Sequence, residues 1–175
     1  MTDDASQGWS EDLRPDPDAL LKKILKGQRG HHRIYLGAAA GVGKTYRALQ
    51  ELHEQHKQGV DAIVGVVETH GRRDTQQILE GLEVFPRRSV PYKNVVIEEC
   101  DLEGLLLRKP SLVLIDELAH SNAPGVTHRK RYEDVEVLLA NGVNVISTLN
   151  IQHLESANDL IARFTGAARA RACTR

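Results

Sequence analysis

Lys44 and Thr45 follow a glycine-rich turn, Gly37-Ala-Ala-Ala-Gly-Val-Gly43, which itself follows the apolar run Ile34-Tyr-Leu36. Strand, glycine turn, Lys-Thr and helix, in that order, is the arrangement of a phosphate loop. Its chemistry is anion binding. Backbone N–H groups from Ala39 to Thr45 can point inward as a nest, which Gly41 and Gly43 leave unobstructed. Lys44 would neutralise the β- and γ-phosphates. Thr45 opens a helix whose positive end faces the same phosphates and whose hydroxyl can take magnesium. The expected nucleotide-binding set is Gly37, Ala39, Ala40, Gly41, Val42, Gly43, Lys44, Thr45 and the adjoining Tyr46. The first glycine of the strict pattern falls at Ala38, so only the looser form that tolerates alanine is met.

A second segment, Leu112-Val-Leu-Ile-Asp-Glu117, reads as a buried parallel strand that delivers two carboxylates to its carboxyl end. Asp116 is the expected magnesium ligand together with Thr45, and Glu117 the group that orients an attacking water or hydroxyl. Such a strand is expected beside the one that feeds the loop. Glu68, Thr69, His70 and Arg72 follow a further apolar run and would share the same sheet edge. Glu68 is a second candidate base, with Arg72 or Arg73 stabilising transferred charge, against the reading of an ordinary turn at Gly71. His120 and Ser121 stand where a γ-phosphate-sensing loop would sit, and the same stretch reads equally as a surface loop. Thr148 and Asn150 end another apolar run and could reach the γ-phosphate, while Asn150 would also serve as a helix N-cap. The run His128-Arg-Lys-Arg131 is read as a solvated face, with a docking patch or an arginine reaching a neighbouring subunit as the alternative.

The elements that must position these groups alternate along the chain. Apolar runs at 34–36, 62–67, 95–97, 112–115 and 143–147 are separated by helical stretches, which predicts a parallel sheet covered by helices. The expected fold is α/β, a P-loop NTPase-like three-layer arrangement with a mainly parallel sheet of about five strands. The first helix should run from Thr45 to about Gln58, turn Tyr46, Leu49 and Leu52 inward and end at Gly59. Asp74-Thr-Gln-Gln77 reads as a capping-box variant ahead of an apolar face of Ile78, Leu79 and Leu82. Asp101 should cap a short helix through Leu107. Tyr132 to Ala140 and Leu154 to about Phe164 complete the set, the first of these ending at Asn141-Gly142. An amphipathic segment with Leu20, Leu21, Ile24 and Leu25 precedes the domain. The expected division is a tail and short helix at 1–30, a nucleotide-binding domain at 31–165 and an irregular tail at 166–175.

Composition narrows the function classes. At 175 residues one domain is expected, large enough to bury roughly 70% of its unfolded surface. The formal net charge is -1 and the pI about 6.7, so no global basic field favours nucleic acid. Trp9, the only tryptophan, lies in a polar tail and offers no stacking platform. Cys100 and Cys173 have no metal-ligating spacing, which suits a reducing compartment. No apolar run approaches the ~18 residues of a membrane helix, and the acidic N-terminus does not resemble a signal peptide.

Five motifs in order resemble the N-terminal domain of the KdpD family: Gly37 to Thr45, Val67-Glu-Thr-His-Gly-Arg72, Asp116-Glu-Leu-Ala-His-Ser-Asn-Ala-Pro-Gly125, Lys130-Arg-Tyr-Glu-Asp134 and Thr148-Leu-Asn-Ile-Gln-His-Leu-Glu155. That family comprises potassium- and osmolarity-responsive sensor histidine kinases, whose cytoplasmic N-terminal domain binds ATP and tunes a distant kinase core. The resemblance implies ATP and magnesium as ligands. It also implies a sensor-kinase core, a response regulator or a potassium-transport component as partner, and a cytoplasmic location with any membrane association made through that partner. Direct membrane insertion and nucleic-acid binding are not expected. The alanine at position 38 fits the family's own variant of the loop. The chain carries no histidine in a phosphoacceptor context and no kinase core, so histidine autophosphorylation by this polypeptide is not expected. A slow ATPase or a protein serine/threonine kinase acting in potassium-uptake regulation stands as the alternative function. The Ala/Arg-rich end from Gly166 departs from the family pattern and fits a frameshift, an early stop or a naturally short homologue.

Overall fold

The computed structural model describes residues 29–150 except 40, 70 and 72, together with residue 18. Ala40, His70, Arg72, Trp9, Cys173, the helices expected around Leu20 and after Leu154, and the Ala/Arg-rich end therefore lie outside the described residues. Five parallel strands form the central sheet in the order β1-β7-β6-β2-β3: β1 His32–Gly37, β7 Asn144–Asn150, β6 Leu112–Ile115, β2 Ala62–Val66 and β3 Glu83–Val84. Every residue of β2 and β6 is buried, as expected where a parallel strand is covered on both faces. β1, at an edge of the sheet, has half-buried and exposed residues and none that is fully buried.

Helices on the two faces produce two separate cores. On one, α1 (Lys44–Lys57) buries Ala48, Leu49 and Leu52 against Val64, Leu114 and Ile146. On the other, Leu105 of α3 (Leu102–Arg108) and Val135, Leu138 and Leu139 of α4 (Arg131–Ala140) meet Ile63, Val113, Ile115 and Val145. Burying about a dozen aliphatic side chains per face, at roughly 1.5–3 kcal/mol each, drives the three-layer assembly. The caps read at Asp101, Gly59 and Asn141-Gly142 are present. Asp101 accepts a hydrogen bond from the Gly104 N–H at 3.1 Å, and Gly59 adopts a φ of 86° just past α1.

Four expectations need correction. The run 95–97 does not enter the parallel sheet. It belongs to β5 (Val95–Glu99), which pairs antiparallel with β4 (Arg88–Tyr92) in a separate two-stranded sheet. Only Lys93 and Asn94 separate the two strands, a connection that can close a hairpin, whereas a parallel pairing needs a crossover of a dozen or more residues. The fifth strand of the main sheet is instead the two-residue β3. It is held by Phe85 N–H on Val64 O at 2.8 Å and by Arg108, which forks onto Asp61 (2.7 and 2.8 Å) and reaches Glu83 (3.0 Å).

Tyr46 does not turn inward but is 38% exposed. At 100° per residue it falls roughly 60° beyond Leu49, off the arc that Ala48, Leu49 and Leu52 bury. Asp74 lies inside α2 (Arg73–Gln77) rather than at its cap, and the helix stops before Ile78, so Leu82 is buried from a turn. Lastly, β6 is not beside β1: β7 intervenes.

Candidate functional site

The carboxyl ends of β1, β7, β6 and β2 lie along one sheet edge, and each brings a group to one cleft. Gly41, Gly43, Lys44, Thr45 and Tyr46 line it from the loop and α1. Glu68 and Thr69 follow β2, Thr75 belongs to α2, Glu117 follows β6, and Thr148 and Asn150 come from β7. Gly37 ends β1 at the base of the loop, Ala39 and Val42 are exposed along it, and Lys44 Nζ donates to Ala39 O at 2.8 Å.

Gly41 and Gly43 have φ of 87° and 85°, values that an L side chain adopts only with strain. Gly43 is the N-cap of α1 and provides no side chain to its first N–H groups, and no acidic residue stands in the first turn. The opening of α1 therefore keeps orphan donors and an uncompensated positive dipole end, which is the physical requirement of an anion site.

Asp116 lies beneath this loop with 1% exposure. Thr45 Oγ1 donates to its carboxylate, 3.2 Å from each oxygen, Glu68 N–H donates to Oδ2 at 3.1 Å, and Thr148 Oγ1 donates to Oδ1. The intervening strand β7 explains how β1 and β6 cooperate without touching, because Thr148 bridges from it. The same hydroxyl accepts from Glu117 N–H at 3.2 Å. Glu117 adopts a φ of 51°, a left-handed conformation that costs on the order of 1–2 kcal/mol for an L residue and turns the chain out of β6 at the cleft wall.

Glu68 is ion-paired with Arg87 at 2.9 Å, and Arg87 also donates to Val67 O. His120 is not on this cleft. It lines an adjoining hollow of about 220 Å³ with Glu117, Thr148 and Asn150, and its Nε2 lies 3.2 Å from Glu99 Oε1. Ser121 accepts from Lys130 Nζ at 2.6 Å.

Neither expectation for the basic run holds at Arg131. It is 1% exposed, donates from Nη1 to Asp116 O at 3.0 Å and sets Nη2 3.6 Å from Glu99 Oε2. His128 is committed to Asp134 at 2.7 Å. Burial raises the Asp134 carboxyl above its ordinary value, with His128 and Asn122 opposing. The sequence carried a signal for Arg131: it stands four residues before Val135 and seven before Leu138, on the buried stripe of its helix. Arg87, the partner of Glu68, had no comparable signal.

The profile of the KdpD family, described as the osmosensitive K+ channel His kinase sensor domain, matches residues 28–173. The chain belongs to the KdpD sensor domain family. The sensor protein KdpD of Escherichia coli is 52% identical over 157 residues, which is 90% of this chain and 18% of that protein. KdpD of Mycobacterium tuberculosis is 52% identical over 139 residues, covering 79% of this chain and 16% of its own length. For Clostridium acetobutylicum KdpD the identity is 46% over 156 residues, 87% of this chain and 17% of the relative. The chain thus spans less than a fifth of the length of these KdpD relatives. Among the described residues, no helix is long and apolar enough to cross a membrane.

Proposed function

We propose that this KdpD-type domain binds magnesium-ATP and regulates a sensor kinase by nucleotide state. The observation that carries the reading is the convergence of the Thr45 hydroxyl, the Thr148 hydroxyl and the Glu68 N–H on the single buried carboxylate of Asp116, directly under a glycine loop that opens an uncapped helix. The donor set fits the ligands. A hydroxyl and a carboxylate are hard oxygen donors suited to magnesium, and the loop offers N–H groups and Lys44 to phosphate oxygens.

In this reading Thr45 and Asp116 would hold magnesium, which would supply charge neutralisation to bound phosphate. Lys44 leaves the Ala39 carbonyl for the phosphates. The loop from Leu118 to Thr127 responds through Glu117 and the shared Thr148, so that a partner distinguishes two loop arrangements. The partner is a sensor-kinase core, a response regulator or a potassium-transport component, and the site of action is cytoplasmic.

A second reading, an ATPase or a protein serine/threonine kinase in potassium-uptake regulation, is favoured by one observation: Glu117 stands in a left-handed conformation on the wall of the same cleft. Glu68 is the weaker base because Arg87 already holds it.

The test follows γ-labelled magnesium-ATP with the purified chain and its Lys44→Ala variant, in the presence of membranes from its own cells. Label that stays on ATP, with nucleotide retained by the normal chain and lost by the variant, supports the regulatory reading. Lys44-dependent label on protein or as free phosphate supports catalysis, and Glu117→Gln should then stop transfer without stopping binding. Failure of the normal chain to retain ATP would refute both.

A further inference from the structure

Glu68 is an awkward neighbour for an anion. It lines the cleft together with Lys44 and Thr45, and Glu117 adds a second carboxylate to the same wall. Among the described residues that line the cleft, Lys44 is the cation. A phosphate placed there meets like charge at short range, and partial burial weakens the screening. Arg87 offsets this. Its Nη1 donates to Glu68 Oε1 at 2.9 Å and its Nη2 donates to Val67 O, so one planar fork grips the side chain of Glu68 and the main chain just before it. Glu68 N–H in turn donates to Asp116 Oδ2 at 3.1 Å, which joins the gripped segment to the buried carboxylate under the loop. The Arg87 and Glu68 side chains are 23% and 31% exposed, so water screens the pair less than it would at the surface. Arg88, the next residue, spends its charge elsewhere: it pairs with the exposed Glu103 at 3.2 Å.

We propose that Arg87 is the residue that makes the cleft receptive to polyphosphate, by cancelling the charge of Glu68 and holding its carboxylate in place. The inference rests on the magnesium-ATP reading above and deepens it. Arg87 is not among the residues that line the cleft, so it acts through Glu68 as a positioning residue and not by touching the nucleotide. Its importance therefore lasts only while position 68 carries a negative charge. Removing the guanidinium leaves a bare carboxylate facing the phosphates, whereas removing the carboxylate makes the guanidinium dispensable for binding.

The test is calorimetric titration of the full chain with ATP and with inorganic tripolyphosphate, each with magnesium, and with thermal melting as the check on folding. The proteins are the normal chain, the single variants Arg87→Met, Glu68→Gln, Arg88→Met and Lys44→Ala, and the double variant of Arg87→Met with Glu68→Gln. Arg87→Met should weaken both ligands by roughly tenfold, the scale of one uncompensated like charge at a partly screened position. Glu68→Gln should bind both at least as tightly as the normal chain, the double variant should match Glu68→Gln, and Arg88→Met should match the normal chain. A loss from Arg87→Met that is just as large on the Glu68→Gln background would show that Arg87 does not act through Glu68, and an equal loss in Arg88→Met would reduce the effect to net charge; either overturns the proposal. Should Arg87→Met fail to fold, Glu68→Gln decides, since weaker binding by that variant overturns the proposal and equal or tighter binding supports it. If Lys44→Ala abolishes binding while Arg87→Met leaves it intact, the role of Arg87 is overturned and the phosphate-site reading stands. If the normal chain binds neither ligand, both fall.

Discussion

Arg131 Nη1 donates to the main-chain carbonyl of Asp116 at 3.0 Å, from a side chain that is 1% exposed. The first residue of α4 thereby fixes the end of β6, where the buried carboxylate and Glu117 emerge. The same guanidinium faces Glu99, the last residue of β5, whose Oε1 accepts from Ala123 N–H at 2.7 Å. One buried arginine thus ties the candidate site to the hairpin and to the loop that follows Glu117.

Replacing Arg131 with Met leaves Glu99 buried without its counter-charge. Equilibrium denaturation of Arg131→Met should show a loss of about 3–5 kcal/mol, the usual scale for breaking a buried ion pair from one side. The double variant with Glu99→Met should recover a large part of that loss, because the Glu99 carboxylate is then no longer buried without the arginine. Equal instability of the single and double variants would show that the pairing is not the source.

Asp116→Asn replaces an acceptor-only group by one that presents an amide N–H₂ to the donors around it. The expected result is that magnesium no longer strengthens ATP binding, whereas the normal chain gains at least roughly tenfold from the metal through charge neutralisation. Titrations with and without magnesium measure this directly, and an unchanged magnesium effect would remove Asp116 from the metal site.

Burial, with Arg29 nearby, lowers the His32 imidazole from 6.5 to about 4, while its Nε2 lies 3.0 Å from Ser147 Oγ. Its folded value is below its unfolded one, so between pH 6.5 and 4 the unfolded chain binds the extra proton. The associated stability is therefore present above 6.5 and lost as pH falls through that window, by up to about 3 kcal/mol. Asp134 works in the opposite sense because its carboxyl is raised. The informative quantity is thus the difference between the normal chain and His32→Gln, whose stability should fall less between pH 7 and pH 4. Parallel pH curves would contradict the assignment to His32.

Asp101→Ala removes the acceptor for Gly104 N–H at the start of α3 and should cost about 1 kcal/mol in thermal or chemical unfolding. Nucleotide affinity should not change, since α3 packs on the sheet face away from α1.

Much of this protein was legible in the chain because the signals are local. The glycine turn before Lys44-Thr45, the apolar run into Asp116-Glu117, the Asp101 cap and the Val135, Leu138 and Leu139 stripe each depend on neighbours within a few positions, where steric limits and helical or strand periodicity act directly. The family resemblance rested on the same local strings, and the match to KdpD proteins over most of the chain agrees with it. The misreadings share a cause. Val95 to Ile97 has the composition of a buried strand, yet its partner was decided by a two-residue connection to Arg88–Tyr92; Tyr46 is apolar, yet its helix needed only the neighbouring arc.

What the residue order determined by itself was most of the element sequence and the chemical inventory: a glycine-rich loop before Lys44-Thr45, two carboxylates and polar strand ends. Tertiary structure alone decided that β7 would lie between β1 and β6, that Thr148 would bridge Thr45's partner Asp116 to Glu117, and that Arg131 would be buried beneath them. The physical reason is that strand order and burial of charge are settled by contacts between residues far apart in the chain. Their energies depend on which surfaces are removed from water together, and no local pattern contains that information.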